Sequence, residues 1–506
     1  MNVSAGIRAG PCWACRIGIL AGLYSLFVAM CVPLPSVSAI AEPFARERPV
    51  YVTNADSADI SAFSVDVVTG RPTLVGSRTK AGEGVRQLAF TPDARHAYAA
   101  NSDANTTSAY AVGPRGVLTP LPGGAGTVDS RGDTPVGTVV SPNGRTLYIA
   151  HVFQGDPNGG TIAIFRIASK GDLKPLGSPI TTTEPHPRGL AITPDGRFLY
   201  AGHGDPGPGR NNSVGAITAY AINSDGAITP IGSPIRVGRF CGDSAITPDG
   251  RRLYVVCQDF DQIFGFAIGS DGGLTPLTGS PYLVTGEFPE TATPSPDGRF
   301  IFVASPGRTT DGSVSAFSVG ADGALTEVPG SPYPGGFGPV GIATLPNGKF
   351  VYASADVDSG PDDLGALNAY MIGPSGTLKP LPGSPFLTGG KGPAYGSFAV
   401  LPNQGPVARF IARDGGSPSS ANFDASTSTD PDGRIARYLW DFGDGTNQTT
   451  VEPQTTHVYS RPGRFRVNLV VIDDEGCSTA LISVGKAILC NGTAAAATSR
   501  IITVGE

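Results

Sequence analysis

Two arginines, a histidine and a glutamate occupy related places in a repeating chain. Arg86, Arg188 and Glu290 each lie six residues before a proline that opens a turn (Pro92, Pro194, Pro296), and His186 lies two residues before Arg188. Such a set could hydrolyse an ester. That reaction needs a polarised carbonyl, an activated water and stabilisation of the oxyanion that forms. Arg86 and Arg188 offer positive charge to an oxyanion or to a substrate carboxylate, and His186 or Glu290 offers a base. His151, His203 and Asp243 belong to the same end of the repeats and are candidates for ligand binding. Each residue also has an ordinary role open to it: the arginines can pair with Glu290 or Asp243, and the two histidines can cap turns at strand ends. Three histidines near one face would suit zinc, but the sequence lacks short ligand spacings such as HxH or HExxH.

These residues are positioned by internal repeats. The stretch Thr247-Pro-Asp-Gly-Arg-Arg-Leu-Tyr-Val255 has relatives that start at Thr91, Ser141, Thr193, Ser295 and Leu345, at spacings of 50, 52, 54, 48 and 50 residues. A second motif occurs seven times: ISAFSVD at Ile60, then copies at Ser108, Ile162, Ile217, Ile263, Val314 and Leu367. A third, of the LTPLPGSP type, closes each unit. The Pro-Asp-Gly and Pro-Asn-Gly pieces predict tight turns, because proline presets φ and glycine accepts positive φ. Alternation in SAFSVD predicts strands that pack a face against a neighbour. A four-stranded sheet cannot bury both faces alone, whereas sheets arranged radially can. The first unit lacks an initial strand, and Ala394–Pro402 supplies one at the far end. The sequence therefore predicts an all-β, seven-bladed propeller closed by pairing of N- and C-terminal strands.

Tyr51-Val-Thr-Asn54, the SPDGR-LYVA copies and the LTPLPGSP copies resemble the lactonase-like (YVTN) seven-bladed β-propeller family over residues 46–403. The resemblance implies a lactone-hydrolase ancestry, as in 6-phosphogluconolactonases. Pro185-His186-Pro187-Arg188 matches the Pro-His-x-His segment of that family, with Arg188 in place of the second histidine, and Arg86-Gln87 stands where an Arg-His pair is common.

After Asn403 the composition changes. Tyr438-Leu-Trp440-Asp-Phe442-Gly-Asp-Gly445, followed by His457-Val-Tyr459, resembles a PKD domain, an Ig-like β-sandwich, across residues 405–504. Trp440 and Phe442 alternate with polar neighbours and are expected in its core. Some PKD domains bind calcium, and Asp430 and Asp432 carry the oxygen ligands such an ion prefers; the competing role is a hydrogen-bonded turn.

The N-terminus predicts export. Arg8 and Arg16 flank an apolar run, Ile17 to Val32, and Ala39-Ile40-Ala41 suits cleavage after Ala41, so residues 1–41 read as a signal peptide. Val28-Ala-Met-Cys31 offers a lipoprotein reading that Met30 fits poorly. Four cysteines follow the signal, which allows three pairings; Cys241 with Cys257 and Cys477 with Cys490 each lie across an expected hairpin. Charged residues are 15% of the chain and the net charge is −6, with no dense basic stretch, so nucleic acid is excluded as a partner. No Gly-x-Ser-x-Gly elbow, Walker loop or Cys-x-x-Cys-His is present.

These observations lead to a secreted or surface-associated binding protein whose propeller presents a ligand face and whose PKD domain serves as spacer or adhesion module. Its expected partners are a carbohydrate, an envelope or matrix component, or another protein, with no membrane span once the signal is removed and no required cofactor. The alternative is an extracellular lactonase acting on a non-phosphorylated sugar lactone, since a phosphorylated one is not expected outside the cell.

Overall fold

A computed structural model describes residues 47–505, apart from 125, 153–158, 205–214, 309–310, 357–363 and 418. The expected signal peptide lies outside the described residues. Apart from two short 3-10 turns, the described residues form strands, turns and loops.

Seven sheets succeed one another along the repeats. The first is ordered Pro72–Lys80, Asp59–Asp66, Glu47–Asn54 and Pro393–Val400, so it draws strands from both ends of the array. The remaining six run in chain order, each beginning with an innermost strand: Val85–Phe90, Pro135–Val140, Pro187–Ile192, Cys241–Ile246, Thr291–Pro294 and Pro339–Thr344. The core lies between neighbouring sheets. Val139, Tyr148 and Ile164 of the third, for example, pack with Leu190, Leu199 and Tyr220 of the fourth. Each such apolar side chain contributes about 2 kcal/mol when fully buried, which a lone sheet could not realise on both faces.

The tyrosine of the LYVA motif ties each sheet to the next. The hydroxyl of Tyr98 donates to Gly171 O at 2.8 Å, Tyr148 to Gly226 O at 2.8 Å, Tyr200 to Gly272 O at 2.9 Å and Tyr254 to Gly323 O at 2.7 Å. Tyr51 reaches Gly116 O in the same way, and Tyr352 of the seventh sheet donates to Gly70 O of the first at 2.6 Å. Phe302 occupies this position in the sixth sheet. It has no hydroxyl to donate.

In the tail, Ile411–Asp414, Ser420–Asp424 and Gln454–Val458 form one sheet, and Asn447–Thr450, Ile435–Asp441, Gly463–Asp473 and Ala497–Val504 form another. Trp440 and Phe442 are buried between them with Phe410, Phe423 and Tyr459, as their alternation predicts. The ring of His457 stacks on Phe442 at 4.0 Å while its Nε2 lies 2.8 Å from Asp444 Oδ2, which physically links the two halves of the tail's sequence motif. A third, small sheet pairs Asn403–Gln404 in parallel with Ile488–Asn491, itself in a hairpin with Ile482–Ser483.

Both expected disulfides are formed. Cys241 and Cys257 are direct partners in the strand ladder. Cys477 bonds Cys490, but it lies in the loop before the 482–491 hairpin, so the pairing holds while the expected hairpin placement does not.

Candidate functional site

The offset of six residues before the turn proline has a structural cause. In four innermost strands the ladder skips one residue at this place: Val136, Arg188, Gly242 and Val340. In Val85–Phe90 it skips Arg86 and Gln87 together. A bulge re-aims the skipped side chain out of the pleat, so five of the seven sheets present such a residue at the same end of the channel. Glu290 shares the offset but lies just before its strand, Thr291–Pro294, with its N donating to Ala304 O.

Three of the four candidate catalytic residues converge there. Arg188 Nη2 lies 3.9 Å from Glu290 Oε1, with side-chain exposures of 19% and 12%. The Arg188 guanidinium also sits 4.9 Å from the ring centre of Tyr395. Burial pushes the Glu290 carboxyl up to about 7, opposed by the positive charges of Arg188 and Arg86 and assisted by Asp243. Burial and the charge of Arg188 lower the Arg86 pKa, and Asp103, Glu290 and Asp56 oppose that shift. The Arg86 Nε is buried and without a hydrogen-bond partner among the described residues. Gln87 turns the other way, its Oε1 accepting from Thr138 N at 2.8 Å.

Tyr395 was not among the residues that sequence reasoning singled out. Its hydroxyl donates to Gly242 O at 2.8 Å and lies 3.4 Å from Asp243 Oδ1. It stands beside Gly396, one of two glycines at the six-residue offset (the other is Gly242), and that is the signal that could have marked it.

His151 and His203 make contacts at strand ends. His203 Nδ1 lies 3.1 Å from Pro185 O and its Nε2 2.9 Å from Thr218 Oγ1, and burial brings its pKa down to about 4. His151 Nδ1 lies 3.4 Å from Thr161 Oγ1, and burial likewise lowers it to about 4. Asn54 and Asn101 fill the same strand-end position in other blades, donating across to Ser61 and Ser108. The geometry is that of a cap between the second and third strands. His186 is buried with a left-handed backbone (φ 55°) and stands close enough to His203 to lower its pKa, whereas the charges felt by Glu290 come from Arg188, Arg86 and Asp243. Asp243 is engaged by Lys486 of the tail, Nζ to Oδ2 at 2.5 Å. The sequence also puts Asp156, Asp205, Arg210 and Asp362 in long loops after second strands, and these residues lie outside the described residues.

Among the described residues no group of three or more His, Cys, Asp or Glu is arranged to hold a metal ion. In the tail, Asp432 Oδ2 accepts from Arg48 Nη1 at 2.7 Å and its carboxylate also accepts from Gln404 N. Asp430 Oδ2 is without a hydrogen-bond partner among the described residues. Burial, then the negative charges of Asp473 and Asp432, push its carboxyl up to about 8.

The fold and this convergent set define an all-β propeller with a charged channel mouth, joined to a small β-sandwich. The chain is a lactonase-like seven-bladed β-propeller followed by a PKD domain: the family model described as "Lactonase, 7-bladed beta-propeller" matches residues 49–189, 78–237 and 182–287, and the PKD domain model matches residues 403–486. Among curated proteins, a 6-phosphogluconolactonase from Pectobacterium carotovorum is 26% identical over 267 residues, 51% of this chain and 73% of that protein. Collagenase ColQ1 from Bacillus cereus is 52% identical over 54 residues, 11% of this chain and 5% of that protein. The chain spans less than a tenth of the length of the collagenase and metalloprotease relatives it matches. A solved structure of a putative 6-phosphogluconolactonase from Bacteroides uniformis shares the propeller fold, at 19% identity and a TM-score of 0.57 over 70% of this chain and 99% of that one. The periplasmic gluconolactonase PpgL of Pseudomonas aeruginosa is similar at 20% identity and a TM-score of 0.54, again over 70% and 99%.

Proposed function

We propose that this protein is an exported hydrolase of a lactone or similar cyclic ester of a sugar acid, with Arg86, Arg188 and Glu290 as its site. The observation that carries the reading is the convergence of two arginines on a buried carboxyl held near 7, where a general base is best matched to neutral pH. Glu290 would take a proton from water as the water oxygen bonds to the lactone carbonyl carbon. Arg86 and Arg188 would balance the negative charge on the carbonyl oxygen. The ring C–O bond then breaks, and the proton passes from Glu290 to the leaving oxygen. No cofactor enters this scheme.

Residues 1–41 and the two disulfides support export, and cleavage after Ala41 is tested by N-terminal sequencing of the protein recovered outside the cell. The names of the propeller relatives supply the substrate class. The PKD domain would hold the protein near a carbohydrate, envelope or matrix component.

A second reading is a binding propeller without turnover, favoured by the Arg188–Glu290 pairing, which could equally organise the guanidinium for a ligand carboxylate. One experiment separates the two: hydrolysis of a panel of sugar lactones by the mature chain, beside Arg188→Ala and Glu290→Gln. The expected result is turnover that rises with pH through about 7 as Glu290 ionises. It should fall by roughly a hundredfold or more in either variant with folding intact. Turnover absent from wild type on every lactone would leave the binding reading.

A further inference from the structure

We propose that the tail hairpin 482–491 is a plug forming the floor of the propeller's channel site, and that Lys486 at its tip is a positioning residue for Arg188 and Glu290. The inference rests on the reading of Arg86, Arg188 and Glu290 as the site.

The hairpin meets the propeller where the innermost strands run into their turns. Ile192 N donates to Gly485 O at 3.0 Å and Ile246 N donates to Val484 O at 3.3 Å; both isoleucines end an innermost strand. Val484, Ile488 and Leu489 line a cavity of about 30 Å³ together with Phe90, Ile342 and Phe398. Gly485 is required twice over. Its φ is +90°, and a Cβ there would stand 3.1 Å from Ile246 Cβ and 3.2 Å from Ala191 Cβ. Behind the tip, Cys490 is bonded to Cys477, and the Arg48 guanidinium holds Glu475, Asp432 and Asn403 together.

From this floor Lys486 reaches upward to Asp243, with side-chain exposures of 11% and 5%. Asp243 passes the contact on. Its Oδ2 also accepts from Ala292 N at 2.8 Å, two residues after Glu290, and its Oδ1 lies 3.4 Å from the Tyr395 hydroxyl. The Tyr395 ring carries the Arg188 guanidinium, and Arg188 faces Glu290. A carboxylate this buried is strongly destabilising once its cation is removed. Without Lys486, the charge on Asp243 would oppose ionisation of Glu290 and compete with it for Arg188. Among the described residues, the charged and titratable groups around Glu290 are then Arg86, Arg188, Asp243 and Tyr395, each from a different innermost strand, with Lys486 from the hairpin.

The test uses the full chain. Hydrogen exchange read by mass spectrometry should show the amides of Ile192, Ile246 and the hairpin as slow as those of the innermost strands; exchange at the rate of an exposed loop overturns the plug. For Lys486, the probe is glucono-1,5-lactone. Lys486→Met should lower kcat about tenfold and move the acid limb of the pH profile upward by about one pH unit. Lys486→Arg should restore most of the activity, and Asp243→Asn combined with Lys486→Met should return the limb toward wild type. An unmoved limb in a folded Lys486→Met chain overturns the positioning role. Should wild type hydrolyse no lactone, the functional reading fails separately. The role of Lys486 is then read from the infrared carboxyl band of Glu290, assigned with Glu290→Gln: an upward shift of its titration in Lys486→Met supports the inference, and an unchanged titration overturns it.

Discussion

The two ends of the propeller channel are built from the same strands and obey opposite rules. At the turn end five of the seven copies repeat one small network, in which Thr193 Oγ1 donates to Asp195 Oδ1, Thr247 to Asp249, Ser295 to Asp297, Thr91 to Asp93 and Ser141 to Asn143; Leu345 and Leu401 start the other two turns. The strand residues just before these turns are apolar, among them Phe90, Ile192 and Ile246. At the mouth end the ladder skips a residue, and that residue is Arg86, Val136, Arg188, Gly242 or Val340 according to the blade. The turn keeps nearly the same residues from blade to blade, whereas a bulged side chain at the mouth pairs with no ladder partner and is free to differ. One end holds the architecture and the other can be given chemistry.

After the hundredfold loss expected at the mouth, the next largest effect belongs to the turn end. Replacing Cys477 and Cys490 together by serine opens a crosslink with a sequence separation of 13 and should cost about 3 kcal/mol in denaturant unfolding. A loss below about 0.5 kcal/mol would show that packing alone seats the hairpin.

A smaller effect distinguishes the buried carboxyls. The native pKa of Asp430 is raised, so the folded chain holds this proton more tightly than the unfolded chain does. The resulting stability is full below the ordinary aspartate range and is lost as pH rises through about 8. Asp430→Asn should therefore raise the midpoint of thermal unfolding by roughly 2–5 °C at pH 9, with the gain gone near pH 3. Millimolar calcium should leave the wild-type midpoint unchanged, because Asp432 is already engaged by Arg48. A calcium-dependent rise that Asp430→Asn abolishes would instead place a cation there. Smallest of all are His151→Asn and His203→Asn, expected within about 1 kcal/mol in stability and about twofold in lactone turnover. A tenfold loss of turnover would draw the histidines into the site.

Sequence alone carried the parts of this molecule that are local or periodic. The seven copies, the strand shared between the ends of the array, the buried Trp440 and both cysteine pairings were all legible, since each is written within a short stretch or repeated along the chain. Arg86, Arg188 and Glu290 could be aligned by their offset, although the bulges at Arg86 and Arg188 could not be read. His186 lies two residues from Arg188 in the sequence, and its left-handed backbone, beside His203, is not legible there. Tyr395 and Lys486 were missed for a different reason. Lys486 meets Asp243 across 243 positions of chain, and the segment Leu481-Ile-Ser-Val-Gly-Lys-Ala-Ile-Leu-Cys490 reads on its own as one more sandwich strand.

The hydroxyl bonds from Tyr51, Tyr98, Tyr148, Tyr200, Tyr254 and Tyr352 bear on why the repeat is recognisable at all. A blade's four strands pair without a phenol at that position, as Phe302 shows in the sixth sheet. The phenol serves the adjoining blade, whose turn carbonyl would otherwise be buried with nothing to accept from. What recurs about every fifty residues is thus the signature of a joint between neighbours, and a blade taken alone would carry half of two joints and the whole of neither.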